Sequence, residues 1–350
     1  SQIDLDDRFG EYLDSHYEFR RDTDFVERHL TGIDLIEHAL PAGGLGRVID
    51  ADYLSILDGL GEWYRGQPGV VYVASLAEMA KRLNQARHGD DTAFYRLPDT
   101  GAGDLLRQYA AAAPDGAAQA LVDGSFAISR LSVILRGMSS RQIRELGVRA
   151  DAWLAQNAPQ FAAPATGLSM MYAQVSARNI EGMLISTGAA LLLISALLVF
   201  ALRSPLLGVI SLLPNLAPAA IALGLWGWAV GEIGLAGSVV TAMTLGIVVD
   251  NTIHFLNKFL RGRRDMGLDA PQAVRHAFES VGGALTITAI VLAAGFAMLS
   301  LSGFKVNASL GALTAITLAV ALIADFLFLP PLLIAVAGRK GSGAKQKTLT

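Results

Sequence analysis

The sequence contains no cysteine, which excludes a disulfide framework and any thiolate metal site and leaves the redox compartment open. It is also short of charge. Asp, Glu, Lys and Arg make up 17% of its 350 residues, against roughly 25% in an ordinary soluble domain. His16, His29, His38 and His88 show neither metal-ligand nor triad spacing. No nucleophile–base pair is legible either, so an enzyme is the weakest function class.

What the chain has instead is apolar sequence, unevenly placed. Hydrophobic residues reach 52%, with a mean hydropathy of +0.42. Residues 1–178 hold 17 Lys/Arg against 24 Asp/Glu, whereas residues 179–350 hold 11 against 7. An acidic soluble part followed by an apolar, weakly basic part is the organisation this predicts. Residue 1 is Ser rather than Met, with no signal peptide or anchor before the soluble part, so a fragment or a processed chain is expected.

Five spans are expected in the second part, at about 183–202, 205–230, 235–260, 282–303 and 308–337. The first, MLISTGAALLLISALLVFAL, carries no charge and is long enough for the roughly 30 Å hydrocarbon core. Pro214 and Pro218 predict a kink in the second, which neighbouring helices must compensate. Arg203, Lys258, Arg261, Arg263, Arg264, Arg275 and the tail residues Arg339, Lys340, Lys345 and Lys347 fall on one side of this arrangement. Lys305 and Glu232 fall on the other. The basic side reads as cytoplasmic, which makes residues 1–178 extracytoplasmic, residues 179–338 the bundle and residues 339–350 a cytoplasmic basic tail.

The soluble part reads as α/β. HLTGIDLIEHALP holds a strand-like run bounded by Gly and Pro, VVYVASLAEMAKRLNQARHG begins as a short β run and becomes a helix, and GSFAISRLSVIL alternates at period two around residues 127–133. The segments between and after them have helical spacing, with Ser75 and either Ser139 or Ser140 placed to cap helices. Strands alternating with helices favour small βαβ units, although a generic α/β domain with no site of its own fits the pattern too.

The stretch TLGIVVDNTIHFLNKF, residues 244–259, places ionisable groups inside the third span. On a helix, Gly246, Asp250, His254 and Asn257 fall within about 80° of one another, with Asn251 outside that stripe. A charge at mid-membrane costs about 2.5–3.5 kcal/mol on insertion scales. Asp250 is therefore expected to face protein or water, where it and His254, one turn apart, can exchange protons with a water file. Plainer readings stand beside this one: a structural i,i+4 pair, a His254 hydrated near the cytoplasmic end, or a metal site. The last is disfavoured because His254 is the only histidine in the five spans. In the fourth span Gly282, Gly283, Thr286 and Thr288 suit close helix approach or interhelical hydrogen bonds, and Gly295 belongs to the same small-residue set. Asp325, followed by two prolines, is the only other acid within a span. A solvated or capping role near the cytoplasmic end competes there with a functional one.

A soluble domain followed by five spans, carrying GIVVDNTIHFLNKF, ALTITAIVLAAGFAMLSLSGF and GALTAITLAVALIADFLFLPPLL, resembles one repeat of the resistance-nodulation-division (RND) superfamily. It looks most like the MMPL/Patched-like branch, whose five helices also resemble a sterol-sensing domain. The resemblance implies a polytopic α-helical protein of the bacterial inner membrane, preceded by a porter-like domain of βαβ units. It further implies export of a hydrophobic or lipid-like substrate driven by the proton motive force, with no cofactor, metal or nucleic acid. Asp250 occupies the proton-relay position of such a repeat, and Thr286 and Thr288 match the hydroxyl-bearing helix facing it. Asn251 departs from the aromatic or second acidic residue of many relatives. The helix before the domain and the other repeat are absent, and the short tail fits a C-terminal half. Partners implied are membrane lipids, the N-terminal repeat and further copies of the assembly. A lipid sensor and an assembly scaffold of the same fold remain open alternatives.

Overall fold

The computed structural model describes residues 12–112, 120–202, 212–231 and 235–336. Within them the chain forms two compact units, one of Ser15–Ala177 and the other of Tyr12–Asp14 with the described residues from Arg178 onward.

In the first unit, helix α1 (Glu18–His29) precedes strand β1 (Asp34–Pro41), helix α2 (Ala51–Arg65), strand β2 (Val70–Ala74) and helix α3 (Leu76–Arg87). Helix α4 (Ala102–Ala112), strand β3 (Ile128–Leu135) and helix α5 (Ser140–Asn157) come next. Caps explain where the helices start. Ser75 accepts a hydrogen bond from the Glu78 backbone and opens α3, while Ser139 and Gln142 form a reciprocal capping box on α5.

The sheet order is β1-β3-β2, and β3 runs antiparallel to both neighbours. The β1–α2–β2 segment is therefore a βαβ unit in split form, its two strands not adjacent. Strands β1 and β2 are parallel, but β3 has entered the gap between them, so every ladder bond is antiparallel. Alternation along a strand reveals its faces and says nothing of its neighbours.

Ile36, Leu40, Leu131, Val133 and Leu135 bury one sheet face in a core shared with Leu54, Leu57 and Leu60 of α2 and Leu146 and Leu154 of α5. His38 lies in that same alternation, fully buried. Its Nδ1 is 3.2 Å from the Ala163 carbonyl and its Nε2 is 2.7 Å from the Tyr64 hydroxyl. A carbonyl can only accept, so Nδ1–H donates to it, and the Tyr64 hydroxyl donates to Nε2. The neutral imidazole satisfies both partners.

The second unit is helical. Helix α6 (Leu168–Leu202) leads into it, followed by α7 (Leu212–Ala229) and α8 (Leu235–Arg264). Helices α9 (Ala270–Leu299) and α10 (Lys305–Val336) complete it. Among the described residues four helices, α6, α8, α9 and α10, are long and apolar enough to cross a membrane. The expected second span is described in part, as α7; Arg203, Glu232 and the basic tail lie outside the described residues. The fourth span starts earlier than its hydropathy suggests. An Asp269–Gln272 capping box with Pro271 in the first turn begins an amphipathic segment, which continues through a π-helical turn, Phe278–Gly282, into the apolar stretch. A second π-helical turn, Ala324–Phe328, lies in α10 just before Pro330. Pro330 and Pro331 have no backbone N–H to offer the preceding turn, and a widened turn accommodates the loss.

Burial holds the His38 pKa below its ordinary value near 6.5, against the opposing pull of the Ala163 carbonyl. The unfolded chain therefore binds this proton first, and stability should fall as pH drops below about 6.5, until the folded-state value is passed. Melting of the full chain in detergent, followed by tryptophan fluorescence with Trp226 and Trp228 replaced by Phe, should show that fall. The His38→Phe variant should melt lower at neutral pH and lose most of the pH dependence across this window.

Candidate functional site

Helix α8 carries polar residues on two faces. Gly246, Asp250, His254 and Asn257 form the stripe expected from the sequence, and all four are exposed on the surface of this chain. Asp250 and His254 are 70% and 59% exposed at their side chains, with Oδ1 and Nε2 3.5 Å apart. Thr286 turns its hydroxyl to the Gly282 carbonyl at 2.8 Å, and Thr288 is exposed. Among the described residues no hydrogen bond joins either threonine to Asp250 or His254. The stripe is thus gathered on one helix face, and the threonines are not brought to it within this chain.

The opposite face packs inward through Val248, Val249, Phe255, Leu256 and Phe259. Asn251 and Thr252 are buried with them. Thr252 Oγ1 is 2.7 Å from Asn215 Oδ1 on α7 and 3.1 Å from Asp325 Oδ1 on α10. It also lies 3.2 Å from the Val248 carbonyl in its own helix. Asn215, Thr252 and Asp325 are 1%, 0% and 2% exposed. Asp325 is therefore neither solvated nor a helix cap, which replaces that part of the sequence reading. Sequence reasoning missed Asn215 and Thr252 as site residues. Both are polar residues within apolar spans, and that was the signal to be had.

Aromatic rings adjoin this cluster. Phe278, in the π-turn of α9, meets Phe326, in the π-turn of α10, with ring centroids 5.2 Å apart, and Phe255 of α8 at 5.0 Å. Phe326 is next to Asp325 in the chain and Phe255 stands one turn beyond Thr252, so edge-to-face aromatic rings adjoin the polar trio along α8 and α10.

The glycines divide differently from expectation. A Cβ at Gly246, Gly283 or Gly295 would meet nothing within 4 Å, and one at Gly282 would meet the Phe278 ring of its own turn at 3.3 Å. None of the four sits at a tight crossing within this chain. Gly311 does. A Cβ there would lie 2.6 Å from the Phe296 carbonyl oxygen and 2.7 Å from the Ser300 nitrogen, so α9 and α10 approach backbone to backbone.

In the first unit, a cavity of about 370 Å³ is lined by Glu37, Asp123, Ser129 and Arg130 together with Ala39, Ala120, Val122 and Ile128, and Arg130 is ion-paired to Glu37 in its wall.

The MMPL family model matches residues 69–350. This chain belongs to the MMPL family. The MMPL chain is accordingly a multi-pass membrane protein of the RND superfamily, a group of transporters. No curated protein matches the chain.

The Gly311 crossing is directly testable. Gly311→Ala must displace backbone, so it should cost about 1–3 kcal/mol and lower the melting midpoint of the full chain in detergent. Gly295→Ala, made in open space on the same helix pair, should leave the midpoint unchanged.

Proposed function

We propose that the MMPL chain is half of a proton-driven exporter of a hydrophobic or amphipathic, lipid-like substrate. Its carrying observation is the stripe on α8. One face of the helix is closed by packing, while the other presents a carboxylate and an imidazole 3.5 Å apart. In lipid such a face would be costly, so it calls for a covering surface, which in an RND-type machine is the other repeat. Asp250 is then the group that gains and loses the coupling proton, and His254 connects it to water. Thr286 and Thr288 come into the relay when the second half is in place.

The basic residues Arg261, Arg263 and Arg264 in the last turn of α8 support a cytoplasmic end there. That orientation makes the α/β unit extracytoplasmic, where it receives substrate from the outer leaflet or the periplasm of a bacterial inner membrane. Closure of the bundle around a protonated Asp250 would alternate with opening around the charged form, since a buried charge and a buried acid favour different packings.

Transport by the full two-repeat protein in proteoliposomes tests this. An imposed pH gradient should drive export, an uncoupler should stop it, and Asp250→Asn should cut the rate by at least about tenfold with normal insertion. Export at the unaltered rate by Asp250→Asn, or without a proton gradient, overturns the coupling. Intact ligand binding with no gradient-driven flux in the wild type would identify a lipid sensor of the same fold.

A further inference from the structure

We propose that Asp325, with Thr252 and Asn215, forms a second proton-binding site in the core of the helical unit, separate from the Asp250 stripe. Thr252 Oγ1 has one proton, yet three oxygens lie within hydrogen-bond reach: Asn215 Oδ1 at 2.7 Å, Asp325 Oδ1 at 3.1 Å and the Val248 carbonyl at 3.2 Å. With Asp325 ionised and Asn215 oriented this way, three acceptors compete for one hydrogen. Among the described residues no cation pairs with the carboxylate. At the same time the Asn215 amide nitrogen is buried with no acceptor.

Adding one proton to Asp325 resolves the competition. Its O–H donates to Thr252 Oγ1, and the Thr252 O–H donates to Asn215 Oδ1, leaving no buried charge. Removing the proton requires the chain to run backwards. With the Asn215 amide turned over, Nδ2 donates to Thr252 Oγ1 and Thr252 donates to the Asp325 carboxylate. Asn and Thr are side chains that can serve both senses. The proton comes from water and returns to water, so no other reactant is needed.

Nothing else titratable faces this acid among the described residues. Helix α7 carries no ionisable residue. On α8, Asp250 and His254 occupy the exposed face, and Lys258 lies more than a turn beyond Thr252. On α9, Arg275 pairs with Glu279 at 3.3 Å and both are exposed, while His276 is half-buried at the end of the amphipathic segment. Lys305 stands at the far end of α10. Asp325 is 2% exposed, so gain or loss of the proton takes place inside the helical unit, where it reverses the bonds tying α7, α8 and α10 together.

Infrared spectroscopy of the full chain in nanodiscs, titrated from about pH 5 to about pH 10, tests the site in an Asp250→Asn background. A protonated-carboxyl band should be present at low pH and lost on alkalinisation. It should be missing at every pH in the Asp250→Asn/Asp325→Asn double variant, whose amide preserves the side-chain shape. In Thr252→Val the band should remain but shift in frequency, because its hydrogen-bond partner is gone. No Asp325 band at any pH, or a band that persists unchanged throughout, overturns the proposal. So does a band lost on adding Na⁺ at fixed pH, which would make the trio a metal-cation site. None of these readouts depends on transport, so they stand or fall apart from the role of Asp250.

Discussion

A helix in hydrocarbon cannot leave a polar side chain to water, and α8 has too many of them for one face. Its Asp250 and Thr252 are two residues apart and therefore point to opposite sides of the helix. No rotation of α8 buries both against the same neighbour. The fold deals with one side internally, placing Thr252 between Asn215 and Asp325, and leaves the other open with Asp250 and His254 on it. The position of α8 in the bundle follows that division, because Phe255, Leu256 and Phe259, which share a buried cluster with Phe278, Leu285 and Leu333, lie on the Thr252 side.

Backbone irregularity serves the same end. A regular α10 through Pro330 would set the proline ring against the carbonyl four residues earlier. The π-helical turn at Ala324–Phe328 relieves that clash, and it is also the turn that holds Asp325 inward. The corresponding turn in α9 comes at the join between an amphipathic segment and an apolar one, and the two turns meet through Phe278 and Phe326. Gly311 lets the same two helices approach elsewhere along their length. Both π-helical turns found among the described residues, and the Gly311 crossing, thus fall on one pair, α9 and α10.

Much of this was legible in the sequence where a local signal had a local cause. Long uncharged runs made the apolar helices visible, and Ser75, Ser139 and period-two alternation in β3 located elements of the α/β unit. The α8 stripe emerged from helical spacing alone. What spacing could not give was pairing. That β3 enters between β1 and β2 is a long-range choice, and so is the meeting of Asn215, Thr252 and Asp325 from three separate helices. The glycines illustrate the same limit. Gly246, Gly283, Gly295 and Gly311 are alike as letters, yet only the backbone placement of α9 against α10 distinguishes the last of them. The start of α9 escaped for another reason, since its first two turns are amphipathic and hydropathy registers only the apolar stretch from Gly283 onward.

The choice of side chains in the buried trio carries information beyond its burial. A second carboxylate in place of Asn215 would put two acids on one hydroxyl, and an aliphatic residue would leave Thr252 with the carboxyl and its own helix. An amide is the neutral group that accepts through one atom and donates through another of nearly the same shape. Threonine between amide and acid transmits the reversal, because a hydroxyl donates in one direction while accepting from the other. A trio selected for rigidity alone would have no need of two ends that can exchange roles. The arrangement at Asn215, Thr252 and Asp325 is that of a chain able to hold a proton at one end and to satisfy its members when the proton has gone.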